Sequence, residues 1–203
     1  MKSINTRKVV IVKKVLTIFC LIFLFFIGTI SVASTEKLST KTVKWKNPKS
    51  IKTYIPPNHR HTPMMKRAFA EWSRKTNNRI IFKYVTTKTG ADITVRYVEK
   101  ISACGDSNNA VGCAASTYSH CTKTTCQFKH VYIDIADKTV SGIERTPKVE
   151  IYTTMLHEIG HSIGLGHNDT NKYSIMSTVP TRSVLKQEID AQDLKVLAEI
   201  YGW

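Results

Sequence analysis

Three histidines and one glutamate at fixed spacing carry the chemistry of this sequence. The stretch Met155-Leu-His-Glu-Ile-Gly-His-Ser-Ile-Gly-Leu-Gly-His167 sets His157 and His161 four residues apart. On a helix, four residues overshoot a full turn by about 40° and climb one pitch, so both imidazoles leave the same face. Two imidazoles so placed can grip one Zn²⁺ at about 2.1 Å each. Glu158 is rotated about 100° from the first histidine and can reach water at the metal without ligating the metal itself. A third ligand cannot come from the same straight helix. Gly164 can take φ > 0 and turn the chain back, and Gly166 adds freedom just before His167. Three protein ligands with one position open is the catalytic arrangement of zinc; a structural site is closed. The implied reaction is metal-assisted hydrolysis, with Glu158 as general base taking a proton from water and later delivering it to a leaving amine. The rival readings are a structural zinc, which leaves Glu158 without a purpose, and three histidines with no metal. Five residues at fixed spacing are far more specific than a bare H-E-x-x-H.

Several elements must hold this constellation. Thr146-Pro147 opens a helix that runs from Pro147 to about Ile163. An earlier helix has Thr62 as its expected N-cap, Pro63 in its first turn and Asn77-Asn78 at its end. Its Met65, Ala68, Phe69 and Trp72 recur at helical steps and form one apolar stripe. A third periodic stretch, Ile189 to Tyr201, closes the chain. Strand signals cover Val43–Ile55, broken or bulged at Asn47-Pro48, then Ile80–Thr86, Ala91–Val98, Asn108–Ser119 and Phe128–Ile135. In Ala91–Val98, Ile93, Val95 and Tyr97 fall on one face and Asp92, Thr94 and Arg96 on the other. The last two strands read as a hairpin. Strand, helix, then several strands is an α+β order.

The N-terminus reads as an export signal. Lys2, Arg7, Lys8, Lys13 and Lys14 precede an apolar run from Val15 to Ile30, and Ser31, Ala33 and Ser34 offer a small-residue exit. The run is close to the lower limit of about 17 residues for spanning a bilayer, so an uncleaved signal anchor is the competing reading. A membrane partner is expected only in that case, and either way the domain is secreted or extracytoplasmic. Of 203 residues with net charge +15, residues 1–33 hold five basic groups and no acid, leaving +10 for the rest. The lysines are scattered and no Arg/aromatic interleaving appears, so nucleic acid is not an expected partner. A solvated basic surface, attracted to an anionic envelope or acidic substrates, accounts for the charge.

Cys20 lies within the signal. Cys104, Cys113, Cys121 and Cys126 remain, an even number that in an exported chain implies two disulfides. Three connectivities are open; Cys104–Cys113 with Cys121–Cys126 asks for the least rearrangement of chain. A four-cysteine zinc site is the rival, though the spacing lacks the paired C-x2-C form.

His157 to His167 resembles the zinc-binding consensus of the metzincins, and within them the chain is most similar to the matrixins, the family of matrix metalloproteinase catalytic domains. Ala68-Phe-Ala-Glu-Trp72 with Ile81-Phe82 resembles the first helix and next strand of that family, and Ala91-Asp92-Ile93 the start of the third strand. Tyr173-Ser-Ile-Met176 stands where the family has its Met-turn, and Asp190 to Gly202 resembles the closing helix. The resemblance spans about Val43 to Trp203. It implies a zincin-like α+β catalytic domain at 43–203, behind a signal at 1–33 and a loose lead-in at 34–42. The domain would hold a twisted mixed sheet of about five strands and three helices. It also implies a zinc endopeptidase acting on protein or peptide substrates, with Met176 as an apolar floor under one catalytic zinc; a monomer is expected. Residues Ser177 to Ser183 would form part of the wall of the pocket beyond the scissile bond, and the substrate would lie extended against the strand within Asn108–Ser119. The sequence departs from the family in places. Thr178 stands where some metzincins have a tyrosine ligand, and Asn168 follows the third histidine. A second zinc or a calcium is unsupported, since His130 and Asp134 alone do not make the structural-zinc pattern. The alternative function is a non-catalytic, zinc-stabilised extracellular binding module.

Overall fold

The computed structural model describes residues 41–99, 101, 104, 110–136, 148–178 and 187–203. The expected export segment, all but the last two residues of the expected lead-in, Asn108–Asn109 at the start of one expected strand, Thr146-Pro147 and most of the expected pocket wall at 177–183 lie outside the described residues. Among the described residues there are six strands and three helices, in the order β1 (Thr42–Lys44), β2 (Ile51–Tyr54), α1 (Thr62–Lys75), β3 (Phe82–Val85), β4 (Ile93–Val98), β5 (Gly112–Ser119), β6 (Thr125–Ala136), α2 (Lys148–Ser162) and α3 (Ala191–Tyr201). None of these helices is long and apolar enough to cross a membrane.

The strands form one mixed sheet. β6 is its axis: β4 and β1 run parallel to it, and β5 pairs with it antiparallel. β2 lies parallel between β4 and β3. The sheet thus has six strands where about five were expected, because Val43–Ile55 is two strands with different partners and not one interrupted strand. The turn at Asn47-Pro48 marks the split; it closes with Ser50 N–H donating to Asn47 O, and β1 pairs with the first residues of β6 while β2 enters the sheet between β3 and β4.

α1 buries the stripe read from its periodicity. Met65, Ala68, Phe69 and Trp72 are fully buried, and Phe69 meets Phe82 of β3 edge-on at 4.6 Å. Each large side chain so buried contributes about 1.5–3 kcal/mol relative to exposure. The N-cap is His61, not Thr62, and it makes no side-chain cap bond. The Thr62 hydroxyl instead donates back to Pro56 O, which fixes the entry of the chain into the helix. At the other end Asn77 and Asn78 take φ of +49° and +56°, a left-handed turn that asparagine tolerates better than most residues. In β4, Thr94 is buried although it points away from the helices, so burial does not follow the simple alternation there.

Both disulfides lie on the β5–β6 hairpin. Cys121 and Cys126 are bonded across its turn, and Cys104 is bonded to Cys113 near its open end.

The helix that carries the histidines is held at its C-terminal end by elements from both ends of the domain. Trp45 Nε1 donates to Ser162 O at 2.8 Å, and Tyr201 Oη donates to Ile163 O at 3.1 Å. These are carbonyls that the end of a helix leaves without intrahelical partners. Trp72 Nε1 of α1 donates to Leu156 O at 2.9 Å, one residue before the first candidate ligand. The position of α2 is therefore set by hydrogen bonds as well as by apolar packing.

Candidate active site

α2 carries His157, Glu158 and His161 in its last two turns and ends in a Schellman motif. Leu165 N–H reaches Gly160 O and Gly164 N–H reaches His161 O, both at 3.1 Å, with Gly164 at φ +106°. Gly164 is required twice over. Its φ is one that other residues rarely adopt, and a Cβ there would lie 2.4 Å from Val43 O of β1. The reversal brings His167 alongside the helix.

The three histidines converge through the same ring atom. His161 Nε2 lies 3.0 Å from His157 Nε2 and 3.2 Å from His167 Nε2. His157 Nδ1 donates to Ile175 O at 2.7 Å, and His161 Nδ1 donates to Leu165 O at 2.8 Å. A carbonyl can only accept, so each Nδ1 holds the proton and each Nε2 presents a lone pair. Lone pairs facing one another at this distance, with no proton between them, suit a shared cation. Ligands at about 2.05 Å from a tetrahedral zinc stand about 3.3 Å apart, close to the spacing found. The donor set therefore fits zinc. Burial holds both helical histidines below their ordinary pKa. For His161 burial and the neighbouring His157 bring it to about 3, which keeps the ring in the neutral form that ligates metal.

Glu158, about 100° around the helix from His157, packs against the edge strand β5. It is 6% exposed, and burial is the main cause that pushes its carboxyl up to about 8, with the Asp134 charge adding and the Ala114 backbone N–H bond opposing. A cation at the three nitrogens would draw that value down again. Gly112 is what allows β5 to come this close: a Cβ there would sit 2.5 Å from Glu158 Oε1 and 2.5 Å from Thr154 Cγ2. β5 thus meets the carboxylate at two successive core-facing positions, Gly112 through its Cα and Ala114 through its N–H.

Beneath the histidines lies the turn that contains Met176, fully buried. A Cβ on Gly160 would be 2.3 Å from Met176 Sδ, so the methionine occupies a slot that the glycine leaves open in α2. The turn is closed by Asn168 N–H donating to Met176 O and Met176 N–H donating to Ser174 Oγ. Ser174 Oγ in turn donates to Asp193 Oδ1 at 2.8 Å. Asp193 belongs to the capping box of α3, where it bonds Asp190 N–H while Asp190 accepts from Asp193 N–H. Asp190 also accepts from Asn171 Nδ2 at 2.7 Å. Burial raises the Asp193 pKa, with the Asp190 charge adding to it and the bonds from Asp190 N–H and Ser174 lowering it. A relay of hydrogen bonds thus runs from the start of α3 through Ser174 to the turn whose Ile175 carbonyl orients His157. Asp169 closes the same loop from outside, accepting from both Thr178 N–H and its hydroxyl.

Of the residues singled out from sequence, His157, Glu158, His161, Gly164, His167 and Met176 are brought together here. Among the described residues these three histidines form the one cluster with ligand atoms close enough to share a metal, all within 4.8 Å of one another. His130 and Asp134 are engaged elsewhere, His130 Nδ1 with Ala91 O and Asp134 with a two-pronged contact from Arg96. The four cysteines lie outside the centre, though Cys113 sits between the two β5 residues that meet Glu158. Sequence reading did not single out Gly112, Gly160, Ser174 or Asp193. A lone glycine inside a helical pattern was the available signal for Gly160. The D-x-x-D spacing at Asp190–Asp193 was the signal for the cap. The family model described as Matrixin matches residues 37–202. No curated protein matches the chain.

Proposed function

The chain belongs to the matrixin family of zinc metallopeptidases, and from that premise we propose that it is an exported zinc-dependent endopeptidase with Glu158 as its general base. The observation that carries the proposal is the convergence of three Nε2 atoms, that of His161 lying 3.0 and 3.2 Å from those of His157 and His167, with two of the three rings fixed in the metal-binding tautomer by carbonyls. His157, His161 and His167 would hold the ion. When bound, zinc supplies the Lewis acidity that acidifies water and polarises a peptide carbonyl.

The chain's own groups do the rest. Glu158 accepts the water proton at a carboxylate oxygen and returns it to the leaving nitrogen. Gly112 and the Ala114 N–H hold that carboxylate in one orientation, and its burial limits its contact with bulk water. β5 pairs with β6 and with no other described strand, so its second edge can take an extended peptide by backbone pairing, which accepts many sequences. The two disulfides and the basic, then apolar, N-terminal segment support export.

The test is cleavage of casein and of a mixed peptide library, with and without a zinc chelator, beside the Glu158→Ala variant. Chelator-sensitive cleavage that disappears in a zinc-loaded Glu158→Ala protein is the expected result. One bound zinc per chain with no cleavage of any substrate would sink the endopeptidase reading and favour a zinc-stabilised binding module.

A further inference from the structure

Gly112 permits contact with Glu158 but offers no side chain to hold the strand there; its place is set by its pairing with Ile135 of β6. Glycine adds no side-chain packing and weakens a strand interior. The strand concerned lies at the edge of the sheet, bonded on one side to β6. The neighbouring residue, Cys113, points to the opposite face, as strand alternation requires. It is 2% exposed and packs with Ile101 and Ala136 in a small apolar cluster, flanked by Val98, Ala110 and Ala115 and apart from the main core. That cluster lies on the face turned away from Glu158, so its packing does not press β5 against the carboxylate. Cys113 is, however, covalently bonded to Cys104, which is itself exposed.

We propose that the Cys104–Cys113 disulfide is a positioning device for the base: it pins β5 at the residue between Gly112 and Ala114 and thereby sets the Glu158 carboxylate. The inference rests on the reading of Glu158 as general base. It assigns the two disulfides different tasks. The Cys121–Cys126 bond lies at the far end of the same hairpin, across its turn, and holds the hairpin closed without touching the site. A displacement of about 1 Å at a catalytic group can cost about 10²-fold in rate, so a small slackening of β5 is enough to matter.

The experiment compares the unmodified protein with Cys104→Ala/Cys113→Ala and, as control, Cys121→Ala/Cys126→Ala. Zinc content, kcat and KM are measured for each on one peptide substrate. The expected result for Cys104→Ala/Cys113→Ala is one zinc per chain, KM within about two-fold and kcat reduced by about ten-fold or more, with the control close to the unmodified protein in kcat. A second arm avoids a variant that fails to fold. The folded protein is treated with a trialkylphosphine; each disulfide reduced consumes one phosphine and one water and yields phosphine oxide and two thiols. Thiol labelling then identifies which bond has opened, and kcat should fall with loss of the Cys104–Cys113 bond specifically. Unchanged kcat with that bond shown to be absent would overturn the proposal. So would a loss explained entirely by lost zinc or by an equal loss in the control. If the unmodified protein cleaves nothing, the reading of Glu158 fails first and this inference falls with it; if it cleaves and Glu158→Ala does not, only the role of the disulfide is at stake.

Discussion

Met176 and Gly160 are complementary: the methionine sulfur lies 2.3 Å from where a Cβ on Gly160 would begin, with Trp72 Cζ2 3.2 Å away on the next side. Helix propensity alone would favour alanine at position 160 by about 1 kcal/mol. The glycine stands inside the helix at that cost, and the space it leaves is filled by the Met176 side chain.

Gly160→Ala should therefore destabilise the protein despite the better helix former. Overpacking a filled core costs about 1–3 kcal/mol, which outweighs or cancels the propensity gain. Thermal melting of Gly160→Ala, Met176→Ala and the double variant measures the coupling. The alanine at 160 should cost less once Met176 is shortened; equal cost in both backgrounds would show that the two residues do not compete for the space.

Gly112→Ala should spare zinc and damage catalysis. The added methyl meets Glu158 Oε1 and Thr154 Cγ2, both at 2.5 Å, so either the strand or the carboxylate must move. A fall in kcat of about 10²-fold with unchanged zinc content is expected. Loss of zinc together with activity would instead place the damage in the fold of α2.

Gly164→Ala should act on both stability and metal. A left-handed conformation costs a non-glycine residue about 1–2 kcal/mol, and contact with Val43 O adds to this. Because the turn delivers His167, zinc affinity should fall along with the melting temperature. A variant that melts lower yet binds zinc as tightly would show that His167 is placed by something other than this turn.

Ser174→Ala removes the link between the α3 cap and the turn that orients His157. Asp193 would lose one of its partners while remaining buried, a loss of about 1–3 kcal/mol. Zinc titration of Ser174→Ala, compared with its melting temperature, separates the two effects. Weaker zinc binding at a temperature well below melting supports the relay.

Removal of zinc should lower the melting temperature, because only the folded chain brings the three histidines together. At free zinc about a thousand times Kd the stabilisation is about 4 kcal/mol. A melting temperature indifferent to chelator would argue against occupation of these ligands by a metal.

How much of this was legible depends on where in the chain each relationship lies. The three histidines, Glu158 and the turn occupy one stretch of eleven residues, His157–His167, so helix geometry and one glycine are enough to bring them together from sequence. The stripe of α1 was equally plain, since periodicity encodes a face. Contacts between distant segments were not. Gly112 meets Glu158 only after β5 has paired with β6, and nothing near Gly112 in sequence names its partner. The division of Val43–Ile55 into two strands depends on which neighbours each half finds in the sheet. Thr62 looked like a cap by residue type, but its hydroxyl had a better acceptor in Pro56. Four cysteines left three pairings open; the path of the hairpin brings Cys121 to Cys126 and Cys104 to Cys113.

The carbonyls that orient His157 and His161 belong to the main chain at Ile175 and Leu165. Every amino acid offers the same oxygen, so the identity of the side chain at either position is silent with respect to that hydrogen bond. In a saturation scan, positions 165 and 175 should therefore register only as packing sites, graded by size and polarity. Sensitivity of the metal centre should appear instead at the residues that route the backbone: Gly160, Gly164, Ser174 and Asp193. Homologues or designs could thus exchange the apolar residues around the centre freely, so long as the course of the chain beneath it is kept.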